Sequence, residues 1–364
     1  MKKLLLSAAT LSLAAGTGYA GGLDRSGQGV NILFEEGTVV QFGYSYVDPK
    51  LTGKSAVDGS ATGDVGRGYS VPHLSYKQSL NETLDVAIIY DQPFGAHVSY
   101  DQDYFLSVAG SPDQLQAEAD AHALTAIVRK KLDGGFSIYG GVRAQTVEAT
   151  ISVPRAAGYE MESNSPTDFG YLIGAAWERP DIAARVALTY NSSIKQTLKL
   201  SESSLFGPGS HSANIETPQS LNLDFQTGVA PNTLVFGTVR WVNWSDFELS
   251  SPNYLGGSPV GTLVGYDDDA ITYTLGVGHR FNEKFSGAIQ LGYERSVGGT
   301  VSDLGPSDGY LSLGVGGTYT QGNVQYSAGI RYIDIGDATT DNGGVFEDND
   351  GWAAGFQITY HFDK

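Results

Sequence analysis

Apolar and polar residues alternate along most of this chain. At its C-terminal end Trp352, Ala354, Phe356, Ile358, Tyr360 and Phe362 alternate with Ala353, Gly355, Gln357, Thr359 and His361, a strict period of two over eleven residues. That period is a strand with one apolar, aromatic face and one small, polar face. The pattern recurs at Val40, Phe42, Tyr44 and Tyr46; at Leu84, Val86, Ile88 and Tyr90; and at Phe169, Tyr171, Ile173, Ala175 and Trp177. It returns from Ile182 to Tyr190, from Leu221 to Phe225, from Phe285 to Tyr293 and from Val324 to Tyr332. Weaker alternation covers residues 71–77, 119–129, 136–147, 234–244, 271–281 and 310–319, so about fourteen strands are expected.

The connections fall into two length classes. Short turns are expected at Gln78–Thr83, Lys130–Gly135, Glu178–Asp181, Ala230–Asn232, Asn282–Lys284 and Gln321–Asn323. Long polar loops are expected at 48–69, 92–117, 148–167, 192–218, 246–268, 296–308 and 334–350. Short turns on one side and long loops on the other are the habit of outer-membrane barrels. Hydrocarbon cannot satisfy an open sheet edge, so a spanning sheet must close. A soluble sandwich or β-helix also alternates, but it does not sort its loops this way or place tyrosine and phenylalanine at both strand ends. Tyr46, Tyr90, Trp177, Tyr190, Trp241 and Trp244 lie near strand ends and are expected to form interfacial girdles. The fold class is therefore all-β: a transmembrane antiparallel barrel.

The N-terminus changes the picture in one respect. Lys2 and Lys3 precede an apolar run from Leu4 to Ala15, and Gly18-Tyr19-Ala20 supplies small residues for cleavage. This reads as a secretory signal over residues 1–20, too short for a transmembrane helix. Losing two lysines takes the formal charge from -18 to -20. No later stretch is apolar for long enough to span as a helix. Gly is abundant (48 residues), Tyr and Phe together number 36 (21 and 15), and Cys is absent, so no disulfide or thiol site holds the fold. The acidic balance excludes nucleic acid as a partner, which calls for a basic footprint.

Motifs for chemistry are weak. Gly53-Lys54-Ser55 resembles the tail of a phosphate loop, but Asp48 stands where its first glycine is needed. Asp348-Asn349-Asp350-Gly351 resembles a calcium loop, but Phe346 and Gln357 occupy its end positions. Residues 334–350 hold six acids and no Lys or Arg, which reads as a solvated loop, with a weak divalent-cation contact at the lipopolysaccharide surface as the sharper reading. None of His73, His97, His122, His211, His279 and His361 has a recognisable Ser/His/Asp spacing, and no Gly-x-Ser-x-Gly elbow is present. Neither enzyme activity, cofactor nor metal is expected. His73 and His361 are expected to line the lumen. Arg143, Arg185, Asp224, Glu294 and Arg331 fall on polar faces, where bracing across the lumen is the preferred role.

Several segments together resemble a known family. Thr217-Pro218-Gln219-Ser220 leads to a tight turn at Ala230-Pro231-Asn232 and a strand ending Trp241-Val242-Asn243-Trp244-Ser245-Asp246-Phe247. Phe42-Gly43-Tyr44-Ser45-Tyr46-Val47-Asp48-Pro49, Gln92-Pro93-Phe94-Gly95 and Ala187-Leu188-Thr189-Tyr190-Asn191-Ser192 complete a collinear set. The set resembles the FadL-type outer-membrane transporters (OMPP1/FadL/TodX), with which the toluene and xylene porins belong. The resemblance implies a fourteen-stranded barrel whose lumen is closed by an N-terminal hatch. It also implies that hydrophobic substrate is captured on external loops and leaves sideways where the third strand is kinked.

The expected organisation is thus a signal peptide (1–20), a hatch (21–39) and a barrel (40–364). Leu23, Ile32, Leu33 and Phe34 are the apolar hatch residues. Phe34, Pro93, Phe94, Gly95 and Arg155 are the candidate substrate path. Pro93 cannot donate a ladder hydrogen bond, so it either lies in a loop or opens the wall. The sequence departs from the family where a basic residue often precedes the tenth strand: Asp268 stands there, which weakens the case for a carboxylate substrate, and Arg155 is the remaining candidate cation. Expected partners are outer-membrane lipid and lipopolysaccharide, the barrel-insertion machinery and a hydrophobic small molecule, with the protein a monomer. Long-chain fatty acids and aromatic hydrocarbons are the expected substrates. A general porin for polar solutes is the alternative, and a surface adhesin or barrel enzyme a third reading.

Overall fold

The computed structural model describes residues 23–107, 114–251, 254 and 261–362; the expected signal peptide lies outside them. Fourteen antiparallel strands close into one barrel. In chain order they are β1 (Val39–Lys50), β2 (Tyr69–Asn81), β3 (a lower segment Leu84–Asp91 and an upper segment Gly95–Ser99), β4 (Gln116–Lys131), β5 (Phe136–Val153), β6 (Asp168–Arg179) and β7 (Ala184–Asn191). There follow β8 (Ser220–Ala230), β9 (Thr233–Val242), β10 (Ala270–Arg280), β11 (Phe285–Glu294), β12 (Tyr310–Gln321), β13 (Val324–Ile335) and β14 (Asn349–His361). Each pairs with its neighbours in sequence, and β1 closes the ring on β14 from Val39↔His361 to Lys50↔Asp350.

The two faces of the wall are inverted relative to a water-soluble fold. Phe42, Phe169, Ile173, Val142, Leu275 and Ile289 all turn outward and are exposed. Lys77, Asp85, Arg129, Arg143, Thr189 and Arg331 turn inward and are buried. An outward apolar band with a polar interior is what a hydrocarbon solvent selects. Tyr46 is exposed and Tyr90, Trp177, Tyr190 and Trp241 are partly exposed, as interfacial rings require. Trp241 keeps its indole apolar body at the wall while its Nε1–H donates to Asp269 (2.9 Å).

Three expectations need correction. Trp244 is not a girdle residue: β9 ends at Val242, a 3-10 turn over Trp244–Asp246 turns the ring inward, and it is 1 % exposed. Ile182 lies in the turn before β7 rather than in the strand. The long loops are not simply polar. They carry their own hairpins, at Tyr159–Asn164 beside an extended β5 and at Ile194–Ser203 with Gly209–Thr217. One face of these hairpins is apolar, and with Tyr100, Tyr104, Ile151, Met161, Leu198, Leu200 and Phe346 it forms the largest hydrophobic cluster among the described residues. Loop 148–167 therefore builds wall rather than merely connecting strands.

Residues 23–38 touch inward-facing side chains of several strands. Arg240 donates to Asp24 (2.6 and 2.9 Å), Asn222 to the Gly27 carbonyl (2.8 Å), Ser220 to Gln28 (2.7 Å) and Arg185 to Asn31 (3.2 Å). At the short-turn end Arg129 donates to the Leu33 carbonyl (2.9 Å), and Lys77 to the carbonyls of Glu35 (2.9 Å) and Gly37 (3.0 Å). Phe34 packs beneath two guanidinium groups, those of Arg129 (4.5 Å) and Arg185 (4.4 Å), and edge-on to Tyr139. Ile32 and Leu33 are buried.

Candidate functional site

The site is built where β3 breaks. Its lower segment pairs with β2 only up to Leu74↔Tyr90. Above that point β2 residues Tyr69–His73 keep their partners on β1 but have no ladder to β3. The upper segment, Gly95–Ser99, pairs with β4 alone. Gln92, Pro93 and Phe94 intervene, opposite two residues of β4, because Asp91 pairs with Ala123 and Gly95 with Asp120. This is a bulge of one residue, and a bulged strand bends. Higher up the wall is stitched again, by a Gly66–Val98 bridge and by donation from Ser99 N–H to the Val65 carbonyl (3.0 Å). The result is a bounded window in the pairing of β2 with β3.

Pro93 thus lies at the break in the wall, and Phe94 turns inward. A second signal lies in the sequence: Pro72 stands in β2, on the stretch without a β3 partner. Proline marks sheet edges, and two prolines facing one interruption mark both sides of it.

Phe94 opens onto an apolar chamber within the external half. Ala117, Val147, Ile151, Leu198, Ile215, Trp244, Phe247, Leu249, Val264 and Leu304 line it, with Leu23 from the N-terminal segment, around about 680 Å³ of atom-free space counted to its mouth. Phe94 meets Trp244 edge-on (5.5 Å), and Trp244 packs on Phe247 and Tyr266. The charged residues at its border are acids, Glu118 and Asp120, the first paired with His97 (3.0 Å) and the second with Arg25 (2.5 Å). A smaller cavity lies against Tyr69, His97 and Val98 at the window, and it shares Leu23, Gly95, Ala96 and Leu304 with the chamber. On the other side Phe247 also borders an external cleft whose charged residues are Asp246, Glu248, Asp267, Asp268, Asp269, Glu294, Asp308 and Asp341 against Arg295.

Of the expected path residues, Pro93, Phe94 and Gly95 come together here with Leu23. Phe34 does not: it lies at the short-turn end. Arg155 is exposed on a turn, donating to the Phe105 carbonyl (2.7 Å), and is not among the chamber residues. The Ser/His/acid cluster Ser251, His211 and Glu202 has the wrong order for acyl transfer, since Ser251 donates to Glu202 and the His211 ring lies 3.8 Å from that same carboxylate. No group of three or more potential metal ligands occurs among the described residues.

The cap over the chamber is tied together at Asp303. Its carboxylate accepts from Thr340 (2.6 Å) and Asn342 (2.7 Å), and its carbonyl accepts from Tyr100 (2.6 Å). Burial pushes this carboxyl above the ordinary range, and the Thr340 and Asn342 bonds offset that only in part. A raised folded value means the stabilising contribution is complete below the ordinary carboxylate pKa and is lost as pH rises through the raised one. Amide protection factors in residues 338–346 should therefore be larger at mildly acidic than at neutral pH, and Asp303→Asn should flatten that difference. An unchanged pH dependence in the variant would assign it to another group.

A family model described as outer membrane protein transport protein (OMPP1/FadL/TodX) matches residues 31–362. The chain belongs to this family. It is an outer-membrane transport protein, and its barrel is the family's barrel. A FadL homologue from Pseudomonas aeruginosa has a crystal structure that superposes with a TM-score of 0.75 at 14% identity, over 96% of both chains. The P. putida toluene transporter TodX gives 0.68 at 13% identity, over 98% of this chain and 94% of the other. The Ralstonia pickettii toluene transporter TbuX gives 0.65 at 13% identity, over 96% and 97%. Among proteins of curated function none matches this chain in sequence.

Proposed function

We propose that this protein is a passive channel for uncharged hydrophobic molecules, which enter the chamber from the external loops and leave sideways through the window between β2 and β3. The observation that carries this reading is continuity: the apolar chamber and the cavity at the window share Leu23, Gly95, Ala96 and Leu304. On this reading residues 1–20 are a cleaved leader and 21–39 a hatch, whose apolar residues are the buried Ile32 and Leu33 and the partly buried Leu23 and Phe34. The transporters similar in fold include two named for toluene.

Charge favours a neutral substrate over a fatty-acid carboxylate. An anion would approach through a cleft bordered by eight acids and one arginine, then enter a chamber whose charged border residues are also acids. The nearby cations Arg25 and His97 are paired with Asp120 and Glu118, so a desolvated carboxylate would have to displace an acid to be received, which is costly. Cells carrying the protein should therefore take up labelled toluene faster than cells lacking it, with labelled oleate uptake unchanged. Faster oleate uptake with no effect on toluene would overturn the neutral reading. A porin for polar solutes predicts large steady ion currents in planar bilayers; this reading predicts small ones, because residues 23–38 bond to inward-facing side chains of the strands.

A further inference from the structure

Two buried polar atoms beside the chamber have nothing to bond. The Trp244 ring lines the chamber and is buried, yet its Nε1–H has no hydrogen-bond partner. Tyr266 packs on that ring at 5.2 Å, and its hydroxyl is likewise closed off from solvent and unpartnered. A Cβ at Gly305 would stand 3.5 Å from this hydroxyl, and Gly305 borders the cavity at the window. Tyr266 itself borders the external cleft. The two groups therefore lie where cleft, chamber and window cavity meet.

The other polar side chains described on the chamber are occupied. Glu118 and Asp120 are in ion pairs, and the Thr217 hydroxyl accepts from Gln145 (3.1 Å) and donates to the Ile194 carbonyl (3.4 Å). Trp241 shows what an indole in this stretch does with an acceptor at hand: its Nε1–H bonds one oxygen of Asp269, and the Ser245 hydroxyl bonds the other (2.7 Å). Trp244 has no such acceptor. A buried donor left unpaired costs free energy that phenylalanine in the same place would avoid. Beside a cavity, an occupant that accepts a hydrogen bond accounts for it. Indole N–H only donates and a phenol donates or accepts, so the group that suits both is an acceptor.

We propose that the chamber selects neutral hydrophobic molecules carrying one hydrogen-bond acceptor, such as an aromatic ketone, ester or ether, received by the Trp244 Nε1–H and the Tyr266 hydroxyl. This rests on the channel reading above and names what its substrate carries. A hydrocarbon still fits the apolar wall, but it leaves both donors unpaired. Apolar walls discriminate weakly between molecules of similar size, whereas a site built around a hydrogen bond rejects the analogue lacking it.

Acetophenone and 2-phenylpropene test this, because they share a shape and differ in carrying a carbonyl oxygen or a methylene. Taking the carbonyl out of water costs more, so a wall without donors binds the alkene more tightly. With the purified protein in lipid nanodiscs, and binding to empty nanodiscs subtracted, acetophenone should bind at least as tightly as the alkene. Tyr266→Phe and Trp244→Phe should each shift the ratio of the two dissociation constants several-fold toward the alkene. Lost packing alone moves both constants together and leaves the ratio where it was. A ratio that neither folded variant moves overturns the inference. Uptake separates it from the channel reading. If cells producing the protein take up neither compound faster than cells lacking it, the channel reading fails; if they take up both while the binding ratio stays fixed in both variants, only the acceptor is wrong.

Discussion

Gly95→Trp should abolish uptake of a neutral hydrophobic probe while leaving the barrel folded, with heat-modifiable gel mobility unchanged. The glycine is required by space. A single methyl at this position would stand 2.3 Å from the Arg25 guanidinium, a separation real atoms do not adopt. Arg25 cannot simply retreat, because it is bonded to Asp120 and stacked on Tyr69. An indole would displace the guanidinium and fill the window with a rigid apolar body. Gly95 lies outside the β2–β3 ladder, which ends at Leu74↔Tyr90, so barrel closure elsewhere is untouched. Normal uptake by folded Gly95→Trp would remove this window from the path.

Much of the barrel could be read from the sequence because its solvent enforces the pattern. A strand with lipid outside and polar lumen inside alternates at every residue, as Phe169 to Trp177 and Trp352 to Phe362 do. The turns were legible for the same reason: Asn282–Lys284 and Gln321–Asn323 interrupt two such runs. The loops misled because their outer faces are wet. Leu198 and Leu200 alternate with Lys199 and Ser201, yet Lys, Glu and Ser dominate the segment, so a chamber wall reads as a polar loop. Trp244 misled because two residues past a strand end is the usual place for a girdle ring, and only the 3-10 turn shows it rotating inward. Pro93 was legible as a local rule about ladders, and Pro72 would have been by the same rule. The ion pairs were not. Asp120 lies 95 residues from Arg25, and Arg240 lies 216 from Asp24, and no spacing rule connects positions that meet only after the barrel closes.

Deleting Gly21–Gly29 should convert the protein into a steady ion conductor in planar bilayers. The base of the segment would survive the deletion, because Lys77 and Arg129 hold the carbonyls of Leu33, Glu35 and Gly37, and Phe34 stays beneath its two guanidinium groups. The tip would be gone, and with it the partners of several inward-facing groups. Arg240 loses Asp24, Asp120 loses Arg25, Asp91 loses the Ser26 hydroxyl, and Ser220 loses Gln28. Removing one member of a buried pair costs about 3–5 kcal/mol when the orphan stays dry. The deleted chain avoids that cost only by admitting water to Arg240 and Asp91. A continuous wet column past these groups lets ions follow, so conductance should rise well above that of the full-length protein. An Arg25→Gln variant keeps the rest of the tip in place and should conduct far less than the deletion. Conductance that does not change on deletion would show that residues 23–29 do not close the lumen.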